Sequence, residues 1–169
     1  MKYVAFLRSL NVGGKHIVKM PELKKLFEEL GFKNVATFIA SGNVIFEAKS
    51  ATSAKIEAAL AKALGYEVRT FLRTLDELAR IGETDDSDCT LYVGFFAKGA
   101  DAEIKRKVKA LSTPIDEVYA DGTELYWLCR AQSFSDATVT GAQIEKALGQ
   151  PVTIRNINTV RKIAAKYRS

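Results

Sequence analysis

Apolar and polar positions along the chain run through one order of elements twice. Residues 2–8 are predicted as a strand with two apolar faces, because Val4 and Phe6 alternate with Tyr3, Ala5 and Leu7, and such a strand belongs in the middle of a covered sheet. Leu23, Leu26, Phe27 and Leu30 then recur at helical spacing between Pro21 and Gly31. Residues 35–39 and 44–46 read as a hairpin linked through Ser41, Gly42 and Asn43, and Ile56, Ala59, Leu60, Ala63 and Leu64 as a second helix stopped at Gly65. A strand at 68–72 completes the order βαββαβ. Thr74 and Glu77 have the spacing of a capping box, so a short helix is expected up to Gly82.

The order then returns. A strand at 91–96, a helix carrying Ile104, Val108 and Leu111, and strands at 115–119 and 125–128 around the Asp121-Gly122 turn are followed by a helix with Ile144, Ala147 and Leu148, opened by a second capping box at Thr140 and Gln143. A short strand at 152–154 precedes a last helix holding Val160, Ile163, Ala164 and Tyr167. K-A-L-G stands before a strand in both halves, at 62–65 and 146–149, and Y-V-A-F-L at Tyr3 echoes Y-V-G-F-F at Tyr92. A period of half a chain is a duplication, not a solenoid. The expected fold is α+β, two ferredoxin-like βαββαβ subdomains at 1–82 and 89–155, an acidic linker at 83–88 and an extra basic C-terminal helix at 156–169.

Composition narrows the function classes. With 169 residues, 47% hydrophobic and 27% charged, the chain can bury a core of ordinary globular kind. No apolar run approaches a membrane span, and the N-terminal apolar stretch is broken by Arg8 before it could serve as a signal peptide, so a cytoplasmic location is expected and no membrane partner. Cys89 and Cys129 are far apart, with His16 the only histidine, which argues against a metal site; no cofactor is expected. An antiparallel 4-1-3-2 order would make the two cysteines neighbours, as reduced thiols. The formal charge of +5 is local: Arg155, Arg161, Lys162, Lys166 and Arg168 fall in the last fifteen residues, and the rest balances at 20 basic and 20 acidic groups. Such a helix end suits its own dipole as well as it suits phosphates.

The candidate chemistry lies in the long stretch after the first strand. Strand-to-helix links usually take about 2–6 residues. This one runs from Leu7 to Met20 and includes Arg8, Asn11, Gly13, Gly14 and Lys15. In a 4-1-3-2 sheet it emerges at the edge where Ser41, Gly42 and Asn43 turn. A guanidinium, amides and backbone N–H groups at glycines would cradle a phosphate or carboxylate there; the alternative is a plain turn at Gly13-Gly14 with Asn11 and Asn43 as turn formers. No P-loop or dinucleotide fingerprint occurs, and a Ser41–His16 nucleophile pair lacks the third group such a pair needs. No catalytic residue is named. A nucleic-acid module, using the basic helix and the sheet aromatics Tyr126 and Trp127, is the less favoured alternative; a structural protein without a ligand is the other.

Three strings, R-S-L-N-V-G-G-K at 8–15, I-A-S-G-N-V-I-F at 39–46 and T-I-R-N-I-N-T-V at 153–160, resemble the bacterial domain of unknown function family 1697. The resemblance implies a duplicated α+β fold in a small cytoplasmic bacterial protein and supplies no activity. Its recurrent polar residues correspond to Arg8, Asn11, Gly13, Gly14, Ser41, Gly42, Asn43, Arg155, Asn156 and Thr159.

Overall fold

A computed structural model describes residues 1–8, 18–38, 42–130 and 137–168. Among these the chain runs β1 (Lys2–Leu7), α1 (Met20–Glu29), β2 (Lys33–Thr37), β3 (Asn43–Glu47), α2 (Ser53–Leu64), β4 (Thr70–Thr74), α3 (Leu75–Ile81), β5 (Thr90–Phe95), α4 (Ala102–Lys109), β6 (Asp116–Asp121), β7 (Glu124–Cys129), α5 (Gly141–Leu148), β8 (Thr153–Asn156) and α6 (Ile157–Tyr167). The strands form two antiparallel four-stranded sheets, β2-β3-β1-β4 and β6-β7-β5-β8. Two compact units result, Met1–Ile81 with Arg161–Ser169, and Gly82–Val160.

The acidic run belongs to the second unit, where Ser87 donates from both N–H and Oγ to Asp85 Oδ1 at 2.9 and 2.6 Å, a local turn that leads into β5. The last helix follows β8 without a loop. Two strands also shift. β4 starts at Thr70 because Val68 is buried in the core before pairing begins, and β2 starts at Lys33 because Asn34, at φ 51°, holds an irregularity in the ladder that apolar alternation does not reveal.

In the first unit α1 and α2 cover one face of the sheet. Leu23, Phe27, Ile56 and Leu60 meet Ala5, Leu7, Val44 and Phe46 there, all buried. Val4, Phe6, Ile45 and Phe71, which alternate with them, are buried on the other face, against whose strands β1 and β4 helix α3 packs. The second unit repeats the plan with Val108, Ile144 and Leu148 over Val118, Leu125, Trp127 and Cys129. Cys129 pairs with Thr90, one residue from Cys89, and neither cysteine is in a disulfide.

The two ladders agree in register, not only in order. Tyr3 lies opposite Phe46 and Tyr92 opposite Trp127, with ring centroids 5.5 and 5.4 Å apart. Val4 faces Arg73 as Val93 faces Arg155. One step on, Ala5 faces Val44 where Gly94 faces Leu125: a methyl is lost on one strand and a methylene gained on the other. Gly94 is therefore required by close approach. A Cβ there would lie 2.7 Å from Val152 Cγ2 and 3.2 Å from Leu125 Cβ. Gly94→Ala is expected to cost ~1–3 kcal/mol, the usual penalty of overpacking, and to cost less in a Val152→Ala background, which a double-mutant cycle in urea would read. Equal costs in both backgrounds would remove the contact from the account.

Candidate functional site

The described part of the expected site is the end of β1 and the turn into β3. Phe6 pairs with Asn43, Leu7 N–H donates to the Gly42 carbonyl at 2.9 Å, and Arg8 N–H to the Arg69 carbonyl at 2.9 Å. Arg8 and Gly42 therefore stand at one sheet end, the guanidinium-bearing residue half-buried. Gly42 adopts φ 86°, a conformation that a side chain would strain. Asn43 is wholly buried, and its Nδ2 donates to the Phe38 carbonyl at 2.9 Å while Phe38 N–H donates back to the Asn43 carbonyl at 3.0 Å. Its amide thus closes the hairpin and shapes the edge from within. Asn11, Gly13, Gly14, Lys15 and Ser41 lie outside the described residues.

Arg155, Asn156 and Thr159 gather in the second unit and have local partners. Arg155 Nη1 donates to Thr153 Oγ1 at 2.8 Å and to the Ile154 carbonyl at 3.1 Å, and burial pulls its guanidinium down to about 10, so it remains a cation at neutral pH. Arg73, at the same register position of the first unit, donates from Nη1 to the Leu72 carbonyl at 2.7 Å. Asn156 Oδ1 accepts from Asn158 N–H at 2.8 Å as α6 opens, and Thr74 and Glu77 exchange bonds of 2.9 and 3.2 Å as α3 opens. Each sheet thus ends in an arginine followed by a helix start. Thr159 is half-buried on α6.

The matching end of the second sheet is closed. Phe96 N–H donates to the Thr123 carbonyl at 3.1 Å, the counterpart of the Leu7–Gly42 bond. The next donors, Ala97 N–H and Lys98 N–H, both reach Gln150 Oε1, at 3.2 and 2.9 Å, and Gln150 Nε2 donates to the Lys98 carbonyl at 2.7 Å. Helix α4 starts at Ala102, so six residues connect β5 to it, against twelve between β1 and α1. Where one unit has a short link clamped by glutamine, the other has Arg8 and a long insertion.

Two further groups could pass for catalytic ones. Asp116 is wholly buried; burial pushes its carboxyl up, but the Thr138 hydroxyl, the Trp127 indole N–H, the Thr138 backbone N–H and Cys129 outweigh it and hold the group at about 2. Both oxygens are engaged: Trp127 Nε1 donates to Oδ1 at 2.8 Å, while Thr138 N–H, Thr138 Oγ1 and Val139 N–H donate to Oδ2 at 2.6, 2.7 and 3.1 Å. A carboxylate so saturated is a staple rather than a base. Burial raises the Cys89 thiol, which keeps it protonated and unreactive. The aromatics that nucleic-acid stacking would use, Tyr126 and Trp127, are 8% and 1% exposed. Among the described residues no helix is long and apolar enough to cross a membrane.

Residues 1–126 match a family described as "Protein of unknown function (DUF1697)". The strings at 8–15 and 39–46 fall inside that match and the one at 153–160 beyond it. A solved structure of the conserved bacterial protein SP0830 from Streptococcus pneumoniae is similar over 97% of each chain, with a TM-score of 0.73 and 24% sequence identity, a likeness of fold. No curated protein matches the chain.

Proposed function

We propose, from the premise that this chain belongs to the DUF1697 family of proteins of unknown function, that it binds a small anionic ligand, one bearing a phosphate or carboxylate, at the edge where Arg8 leaves β1. The same reading makes the chain a duplicated ferredoxin-like protein of the bacterial cytoplasm, its copies spanning 1–82 and 89–155 and followed by the basic helix, with one copy altered at one end. The observation that carries it is the contrast between those ends. Gln150 closes one with its own amide, whereas the other has Arg8 beside Gly42 and a longer connection. Copies of one unit share what folding needs, so what only one of them has is where a function is sought.

In this reading Arg8 supplies a planar fork of donors suited to an oxyanion, and Gly42 lets backbone approach it without a side chain in the way. Asn43 positions the turn. Asn11, Gly13, Gly14, Lys15 and Ser41 join the proposal by their place in the sequence alone. Arg8→Ala is expected to weaken the ligand about ten- to a hundredfold, the worth of a charge-assisted hydrogen bond, with the fold intact. The test is a thermal-shift screen of nucleotides, sugar phosphates and organic carboxylates on wild type and Arg8→Ala. Stabilisation of the wild type only supports the site. A screen with no hit, joined to a melting point lowered by the substitution itself, makes Arg8 a structural residue.

A further inference from the structure

We infer that the second unit has a small-molecule site of its own, and that it takes a free amino acid with an apolar side chain. The site is a pocket of about 680 Å³ between the last residue of α4, the loop 112–114, the outward side of β6 and Arg130 at the end of β7. That volume lies within the ~300–1,000 Å³ usual for small-molecule pockets. None of its lining residues belongs to the Arg8 set, and the sequence singled out none of them, because they come from four separate elements and form no motif.

The walls divide by chemistry. Ser112 Oγ accepts from Val118 N–H at 3.0 Å and donates to the Val118 carbonyl at 3.2 Å; Thr113 Oγ1 accepts from Ile115 N–H and Asp116 N–H at 3.2 and 3.1 Å and meets Thr138 Oγ1 at 2.5 Å. These hydroxyls occupy the outward backbone groups of the edge strand β6 and fix the pocket's lip, so the loop is a built wall rather than a loose turn. They have little left to offer a ligand. Pro114 and the Tyr119 ring, which stacks on Tyr126 at 5.1 Å between centroids, give an apolar, rigid surface. Burial, with Glu117 and Asp121 adding to it, raises the Tyr119 phenol, so the ring is neutral.

The remaining groups are charged. Lys109 and Arg130 are cations, Glu117 an anion, and among the described residues none of the three makes an ion pair. Glu117 pairs with Leu128 and Arg130 N–H donates to the Ile115 carbonyl at 2.9 Å, which brings Glu117 and Arg130 to the same end of the β6–β7 pair. Two cations call for a carboxylate, which the Arg130 fork accepts in two parallel bonds. Glu117 repels a dianion such as phosphate but pairs with an ammonium. A simple amine meets two cations, and a simple acid leaves Glu117 facing it. Carboxylate, ammonium and apolar body together describe an apolar amino acid lying on Pro114 and Tyr119.

The experiment is a titration of the full chain with L-phenylalanine, 3-phenylpropionate and phenethylamine, followed by backbone amide shifts. Saturable shifts around Lys109, Ser112, Glu117 and Arg130 are expected for phenylalanine, with the acid about tenfold weaker and the amine weaker still. Arg130→Ala should weaken both acids about tenfold, and Glu117→Gln should bring phenylalanine and phenylpropionate level, neither exposed substitution moving the melting point. No saturable shift up to about 10 mM, shifts centred elsewhere, or equal affinity in the Arg130→Ala protein would each overturn the assignment.

Discussion

Asp116→Ala is expected to lower stability by ~3–5 kcal/mol, because it strands two buried donors and a part-buried one at once, and each buried group left unsatisfied costs ~1–3 kcal/mol before relaxation. The donors are the Trp127 indole, Thr138 N–H and Val139 N–H. The staple joins the edge strand β6 to the chain entering α5, so its loss should also free that entry. Urea denaturation followed by the emission of Trp127, the sole tryptophan, reads both, since the indole is itself a partner. A pH series separates charge from shape. The folded carboxyl titrates at about 2, below its usual 3.8, so its contribution is complete above the usual value and is lost as pH falls through the folded one. That acid-side loss should be on the order of 2 kcal/mol. Asp116→Asn should abolish this part of the slope while keeping the side chain's size. An Asp116→Ala protein as stable as wild type would mean that the donors find other partners.

Nothing in the sequence marked Asp116. An acid at the start of a predicted strand reads as a solvated end, and it turns out buried because Trp127, across the β6–β7 hairpin, and Thr138, beyond that hairpin, both need an acceptor. The repeated order was legible for the opposite reason. Alternation at Tyr3–Leu7 and its echo at Tyr92, the capping residues Thr74 and Thr140, and the helix ends at Gly65 and Gly149 are local signals, and local signals survive in a single sequence. Register came through only as that echo; its content, Val4 facing Arg73 and Val93 facing Arg155, needs the pairing partners.

The candidate edge was legible in part. That Arg8 and Gly42 share a sheet end follows from strand order, which element order suggests. That Asn43 faces inward does not follow, because asparagine beside glycine has the composition of an exposed turn. The pocket lined by Lys109, Glu117 and Arg130 was illegible for a different reason. Its charges stand on a helix end and two strand ends, where single charged residues are ordinary, and only the fold assembles them.

Phe46→Ala should produce the other large loss, ~5 kcal/mol, the upper end of what a buried phenylalanine deletion costs. Phe46 is wholly buried on the helix-covered face of the first sheet and touches three rings: Phe32 stacked at 4.3 Å, Tyr3 stacked at 5.5 Å and Phe27 tilted at 5.7 Å between centroids. Each such pair contributes ~0.5–1.5 kcal/mol beyond the area it buries, and the cavity left behind is walled by rings that cannot fold into it. The second unit offers the comparison. Trp127 holds the same register position and meets Tyr92, but it is also tied to Asp116 by a hydrogen bond, whereas Phe46 is held by packing alone. Phe46→Leu, which keeps most of the volume and loses only the ring contacts, is therefore expected to cost ~1–2 kcal/mol. Far-UV circular dichroism in urea gives both values. Trp127 emission, recorded alongside, reports the second unit alone, so a loss seen first in the dichroism would show the first unit unfolding by itself. If Phe46→Ala and Phe46→Leu cost the same, the aromatic cluster contributes nothing beyond filling space, and the shared register of Tyr3–Phe46 and Tyr92–Trp127 has to be explained by volume alone.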